Sequence, residues 1–388
     1  MRRSEYLDLA ERLLDHVENN TTDSADSTYT VPVADYLDED RWNTEMEAIF
    51  KRKPLMLAYT DELREPGMYK AMEAVGVPVL MTRSKDGKVR AFLNVCSHRG
   101  AQIAADGLGK ASRFVCPYHG WTYNDKGDLM AVADKQKFGA VNTGTKGLTE
   151  LPCAERAGLI FVVLTPGEPM DIDDYLGGML PEIESLGIED WHIYKQVELS
   201  GANWKIVYDG YLEGYHFSTL HKNTIFTFSM NNVMAYDSYG PHQRIGFPHH
   251  DLADLREKPQ DEWETGEGMS VIRTIFPHVS MAGGAGGGLI SQLIPGPTPA
   301  QSRTIQTYIY AKLPETDDEQ AMMDASMEMT VAAVRDEDYA TGFGIQRGLA
   351  TGANKEFTFG KNELGLHKFH SWVDYYTEGE PEGRRPNL

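Results

Sequence analysis

Three cysteines in 388 residues are too few, and an odd number, for a disulfide scaffold. A reducing, cytoplasmic compartment is the expectation. Positive charge is scarce as well: 37 Lys and Arg face 58 Asp and Glu, a formal charge of −21. That balance argues against nucleic acid or an anionic membrane surface as the main partner. No stretch approaches the roughly 18 consecutive apolar residues of a membrane-spanning helix. The opening MRRSEYLDLAERLLDH has no continuous apolar run, so it does not read as a secretory signal. Core material is ample, with 41% hydrophobic residues and 6 Trp, 19 Tyr and 14 Phe, which excludes intrinsic disorder. The length exceeds what one core usually supports and predicts two domains.

Residues 4–18 place Tyr6, Leu9, Ala10, Leu13, Leu14 and Val17 at helical spacing, ended by Asn19-Asn20. The polar Thr21–Ser27 reads as a linker. From Tyr29 to Leu164, after a short helix over Glu39–Phe50, short apolar runs alternate with turns at Pro66-Gly67, Asp86-Gly87 and Lys126-Gly127. That texture predicts a small antiparallel sandwich or barrel. Beyond Pro166, strands over 268–312 precede the strongest helical pattern in the chain at 317–350. The prediction is an α+β second domain. The glycine-rich AGGAGGG at 282–288 lacks the Gly-Lys-Ser/Thr and the helix start of a phosphate loop, and is expected to be a hairpin or loop.

Two clusters carry chemistry. The first is N-V-C-S-H-R-G at 94–100 with C-P-Y-H-G-W at 116–121, which offers Cys96, His98, Cys116 and His119. One thiolate and one imidazole in each of two loops suit zinc as Cys2His2, or a [2Fe–2S] cluster with two Cys on one iron and two His on the other. The order favours iron–sulfur, because zinc fingers place both Cys before both His. The second cluster is N-W-K-I-V-Y-D-G-Y-L-E-G-Y-H-F-S-T-L-H, residues 203–221, with His216 and His221 preceded by Asp209 and Glu213. Two His and one carboxylate on one face, with the opposite positions open, suit a mononuclear Fe(II) that meets O2. Residues five apart on an α-helix are rotated about 140° from each other, so a regular helix does not bring the two His together. The helix must end or distort, and a π-like turn is expected at about Phe217–Leu220. Glu213, three residues before His216, is itself a candidate ligand. The remaining histidines (His192, His242, His249, His250, His278, His367, His370) and Cys153 lack such a pattern and are read as structural or surface.

The two motifs together resemble the Rieske non-haem iron ring-hydroxylating oxygenases, in their catalytic α subunit. The resemblance implies an N-terminal helix and linker over 1–35, an all-β Rieske [2Fe–2S] domain over 36–165, and a helix-flanked antiparallel-sheet catalytic domain over 166–388. It makes Cys96, His98, Cys116 and His119 the cluster ligands. His216, His221 and Asp338 become the ligands of the mononuclear iron, with Asp336 as second choice, from the V-A-A-V-R-D-E-D-Y helix at 331–339. Glu213 becomes an acidic bridge to His119 of a neighbouring subunit, which implies a homotrimer or a multiple of it, with or without small β subunits. The family usually has Asp there, and some members that oxidise quaternary ammonium compounds have Glu. The implied partners are O2, an organic substrate, and a reductase or ferredoxin carrying electrons from NAD(P)H. The expected activity is hydroxylation of an aromatic or cyclic substrate of the dioxygenase type, as in aromatic hydrocarbon catabolism. The alternative is a monooxygenase or demethylase acting on a quaternary amine or methoxy group. A non-catalytic electron carrier is the third reading. Phe217, Leu220, Phe226, Phe228 and Leu293 are candidate pocket residues.

Overall fold

The structure is a computed structural model that describes residues 1–284 and 286–386. Its contacts divide the chain into two compact units, Phe50–Tyr175 and Met1–Ile49 with Leu176–Leu388. The sequence boundaries at 36 and 165 thus fall about a dozen residues outside the first unit's start and inside its end.

The unit Phe50–Tyr175 is built from three small antiparallel sheets, apart from single turns of helix. The largest pairs Glu150–Leu151, Val89–Leu93, Val77–Arg83, Met68–Ala74 and Gly107–Lys110 in that order. A second sheet joins Arg113–Val115, Thr122–Asn124 and Leu129–Ala131. Cys96 follows the strand Val89–Leu93, and Cys116 sits in the hairpin between Arg113–Val115 and Thr122–Asn124. Both cysteines are buried with Leu80, Phe114, Trp121 and Tyr123, so the ligand loops are anchored in the unit's own core.

In the other unit, helix α1 (Arg3–Asn19) buries Tyr6, Leu9, Ala10, Leu13 and Leu14, the face its spacing predicts, and Asn20 ends it in the left-handed conformation. Helix α2 (Trp204–Asp209) starts at Asn203, whose side chain accepts from the Lys205 amide. Helix α3 (Phe217–Leu220) is a single turn. Helix α4 (Asp317–Ala332) opens on a Thr316/Glu319 capping box and runs into a π-helical segment, Ala333–Tyr339, then α5 (Ala340–Leu349). Helix α6 (Leu364–Thr377) follows.

The unit's sheet has seven antiparallel strands: β1 (His192–Gly201), β2 (Ala235–Tyr239), β3 (His242–Pro248), β4 (Met269–Ile275), β5 (Val279–Gly284), β6 (Gly287–Pro295) and β7 (Ser302–Tyr310). Their order is β1-β7-β6-β5-β4-β3-β2, with α1 packed on β2 and β3. At Gly246 of β3, a Cβ would come within 3.0 Å of Leu9, so the glycine lets helix and sheet approach. Each leucine buried at this seam contributes about 1.5–3 kcal/mol. The glycine run is the β5–β6 hairpin, where a Cβ on Gly288 would stand 2.3 Å from the Ala282 carbonyl. The chain is α+β, as its texture implies.

Candidate metal centres

The two cysteine loops have the same backbone. The Cys96 amide bonds the Ala101 carbonyl and the Gly100 amide bonds the Cys96 carbonyl, at 2.8 and 2.9 Å. In the second loop, the Cys116 amide bonds Trp121 and the Gly120 amide bonds Cys116, at 2.8 and 3.0 Å. Gly100 and Gly120 close these turns with φ of 80° and 70°, where any side chain is strained. Each loop therefore presents one cysteine and one histidine in the same local geometry. Both thiols are free and only 2% exposed. His98 stacks on Trp121 at 4.7 Å and meets the His119 ring edge-on at 4.7 Å. The Nδ1 of His98 is buried without any hydrogen-bond partner. A buried ring nitrogen left unpaired in an otherwise satisfied site is what a metal ligand looks like before its metal is counted. Tyr123 places its hydroxyl 3.2 Å from Cys96 Sγ and 3.1 Å from the Ser97 amide. Burial pushes that phenol up to about 12, so it stays protonated beside the sulfur. Sequence reasoning missed Tyr123, whose position just beyond Trp121 was its only signal.

The second centre is assembled from two distant segments. The expected π-like turn at Phe217–Leu220 does not form. Instead His216 and His221 flank the single turn of α3, with the Leu220 amide bonded to His216 and the His221 amide bonded to Phe217 in ordinary i→i+4 fashion. Ending the helix before His221 frees that residue from the helical rotation. The two Nε2 atoms lie 3.1 Å apart. The π-helix is on the other segment, Ala333–Tyr339, and it delivers Asp338. Asp338 Oδ1 lies 3.0 Å from His221 Nε2 and 3.6 Å from His216 Nε2. These three donor atoms fall within 4.8 Å of one another. Ligands about 2.1 Å from one ion at right angles sit about 3.0 Å apart, so the trio fits one face of a metal.

Asp336, the second choice, points away and pairs with exposed Arg335 at 2.7 Å. Glu337, which the sequence reading passed over, accepts from His221 Nδ1 at 2.6 Å and from Thr224 at 2.7 Å. Glu213 does the same for His216, accepting from its Nδ1 and backbone amide. A carboxylate only accepts, so both Nδ1 atoms carry a proton, and the Nε2 atoms are the ones that turn to the shared point as candidate ligands. Burial works against a positive charge on His221, but the Asp338 and Glu337 carboxylates outweigh it and raise the imidazole above its usual range. The same field favours a metal cation.

Asp209 does not join the trio. It is held by the Tyr36 hydroxyl at 2.9 Å and His370 Nε2 at 2.9 Å, and it lines a cavity of about 210 Å³ together with Glu213, His216, Asp338 and Glu363. Burial raises the Glu363 carboxyl above its usual range. A second cavity, of about 400 Å³, is lined by Phe217, Thr224, Phe228, Phe247, Ala333 and Val334 among others, and by none of the three donor residues. Of the candidate pocket residues, Phe217 and Phe228 line this cavity and Leu220 the smaller one, while Leu293 is fully buried in the sheet and Phe226 lines neither.

Family models match both halves of the chain: a Rieske [2Fe-2S] domain over residues 53–148 and a ring hydroxylating alpha subunit catalytic domain over residues 188–379. The chain belongs to the Rieske oxygenase alpha subunits. It is 31% identical over 205 residues to the glycine betaine monooxygenase oxygenase subunit of Pseudomonas aeruginosa, covering 53% of this chain and 47% of that protein. To the chlorobenzene dioxygenase subunit alpha of Cupriavidus sp. it is 32% identical, covering 47% of this chain and 42% of that protein. The match thus spans about half the length of these relatives. Among solved structures, a quaternary ammonium Rieske monooxygenase in complex with L-carnitine superposes with a TM-score of 0.77 at 21% identity, covering 91% of this chain and 96% of that one. Naphthalene 1,2-dioxygenase with indole bound gives 0.74 at 19%, covering 94% and 95%. The shared property at these identities is the fold. The family's two cofactors are a [2Fe–2S] cluster and a mononuclear iron, and the two donor sets described above suit them.

Proposed function

We propose that this chain is a terminal oxygenase component that hydroxylates an aromatic or cyclic substrate with O2 and electrons from a ferredoxin or reductase, fed in turn by NAD(P)H. The observation that carries the reading is the His216–His221–Asp338 trio, with Phe217, whose ring lies 5.1 Å from His216, lining a cavity of about 400 Å³. When bound, the cluster at Cys96, His98, Cys116 and His119 supplies electrons one at a time, and the iron at the trio activates O2.

The chain's own residues do the rest. His216, His221 and Asp338 hold one face and leave the other open. Glu213 and Glu337 keep the Nδ1 protons and so fix which nitrogen is a ligand. Phe217, Phe228 and Phe247 exclude water and present faces to an apolar ring.

Glu213 as a bridge to His119 of a neighbouring protomer, in a homotrimer, is supported by exposure on both sides. Tyr118, next to His119, is 57% exposed, and Tyr215, between Glu213 and His216, is 59% exposed. The neighbours of both residues are therefore open to a partner, while Glu213 itself is 11% exposed and holds His216.

The second reading is oxidation of a quaternary amine. Glu213 and the glycine betaine and carnitine relatives favour it. The cavity does not: no Tyr, Trp, Asp or Glu stands among its described lining residues, so it offers neither an aromatic cage of those residues nor a counter-charge. Oxygen uptake by the iron-loaded protein with its electron donor tests the choice. Uptake with ring compounds and none with carnitine or glycine betaine is the expected result, and the reverse pattern overturns it. Among the described residues, no helix is long and apolar enough to cross a membrane.

A further inference from the structure

The 400 Å³ cavity has Arg273 as the one charged side chain among its described lining residues. Arg273 rises from β4 and its side chain is 2% exposed. Nε bonds Glu182 at 2.6 Å and Nη1 bonds the Gly283 carbonyl at 2.9 Å. Nη2 forms no hydrogen bond to any described residue. A guanidinium carries five N–H donors, and an unpaired one inside an apolar cavity is costly until an acceptor arrives.

Behind Arg273 runs a chain of charges of alternating sign. Glu182 bonds Arg244 at 3.1 Å, Arg244 bonds Asp237 at 2.8 Å, Asp237 bonds Arg12 at 2.8 Å, and Arg12 bonds Asp23 at 3.0 Å. Glu5, 4.0 Å from Arg244, is a side branch. Exposure climbs along the row, from 1–4% at Glu182 and Arg244 to 30% at Asp23. The row balances three arginines against three carboxylates, and the end that lines the cavity is the cationic one, Arg273. Phe217 also lines this cavity, and its ring lies 5.1 Å from His216 and 5.9 Å from His221.

We propose that Arg273 is the specificity-determining anchor for a carboxylate, and that the substrate class is a ring-bearing carboxylic acid. The ring lies among Phe217, Phe228 and Phe247 toward the metal trio. The carboxylate takes the open Nη2 donor, a charge-assisted bond in a water-poor site. Apolar walls bind the ring, and the anchor decides which ring is accepted and which way it points. This rests on the reading of the cavity as the substrate site.

Isothermal titration of the iron-loaded full chain tests it with three probes: benzoate, its neutral isostere nitrobenzene, and toluene. Benzoate is expected to bind about tenfold tighter than nitrobenzene, or better, because a site built around a polar partner rejects a ligand that cannot supply it. In the double variant Arg273→Met/Glu182→Gln, which removes both charges of the buried pair at once, that preference disappears while ring binding stays. Nitrobenzene equal to or tighter than benzoate on the native protein overturns the proposal. So does a benzoate preference that survives in the double variant, since it then comes from elsewhere, such as the metal. If the double variant fails to fold by circular dichroism, the native benzoate-to-nitrobenzene ratio decides alone. Toluene and nitrobenzene binding without benzoate removes the anchor and leaves the oxygenase reading. Binding of none of the three removes the cavity as a ring site altogether.

Discussion

The two candidate metal-binding regions solve one problem in opposite ways. The Cys96–His119 region draws all four donors from two loops of identical backbone pattern within one small β unit. The His216–His221–Asp338 region joins a single helical turn to a π-helix more than a hundred residues later. In the first, local turns and two glycines place the ligands. In the second, tertiary packing places them, and the local helix has to stop or widen to let it. A site of the first kind is encoded in a short stretch of chain, whereas one of the second kind depends on the whole fold of its unit.

Substitutions should separate the two regions. The largest effect is expected from Asp338→Ala, which removes the carboxylate of the proposed trio. Turnover should fall by about a thousandfold or more, with mononuclear iron lost and the visible spectrum of the cluster unchanged. Cys116→Ser is the converse. The cluster spectrum should vanish, while titration with Fe(II) should still find about one ion per chain at the histidine trio, because the trio and the carboxylates that hold its histidines all belong to the other unit. Loss of both metals in either variant would mean that the centres are not built independently.

Glu337→Gln keeps the size of the side chain and weakens its hold on His221 Nδ1. Metal affinity at the trio should drop about 10–100-fold by equilibrium dialysis. An unchanged affinity would reduce Glu337 to a surface carboxylate. Asp336→Asn, one residue earlier on the same π-helix, should leave iron content unaltered and shift stability by less than about 0.5 kcal/mol in urea titration, because its partner among the described residues is the exposed Arg335.

That contrast between neighbours marks the limit of what the sequence reveals. Cys96, His98, Cys116 and His119 stand out in the sequence as candidate ligands because their spacing implies two matching turns, which the structure has. The His216/His221 pair is also legible, together with the conclusion that a regular helix cannot serve both. The irregularity was expected inside 217–220, and the structure puts it at 333–339. Spacing shows that a constraint exists but not which of two packed segments yields to it. Glu337 escaped notice because three consecutive acidic residues on a helix read as a solvated face. The structure turns Asp336 to solvent, Glu337 to Nδ1 and Asp338 to Nε2 of the same imidazole. Arg273 could not be found from sequence at all. A lone arginine in a strand says nothing of the cavity before it or the row of charges behind it.

Metal content decides the matter with least interpretation. Protein prepared without oxygen, assayed for iron, acid-labile sulfide and visible absorption, should hold about three irons and about two sulfides per chain, two of the irons in the cluster and one at the histidine trio. Zinc alone, with no sulfide and no visible band, would contradict it.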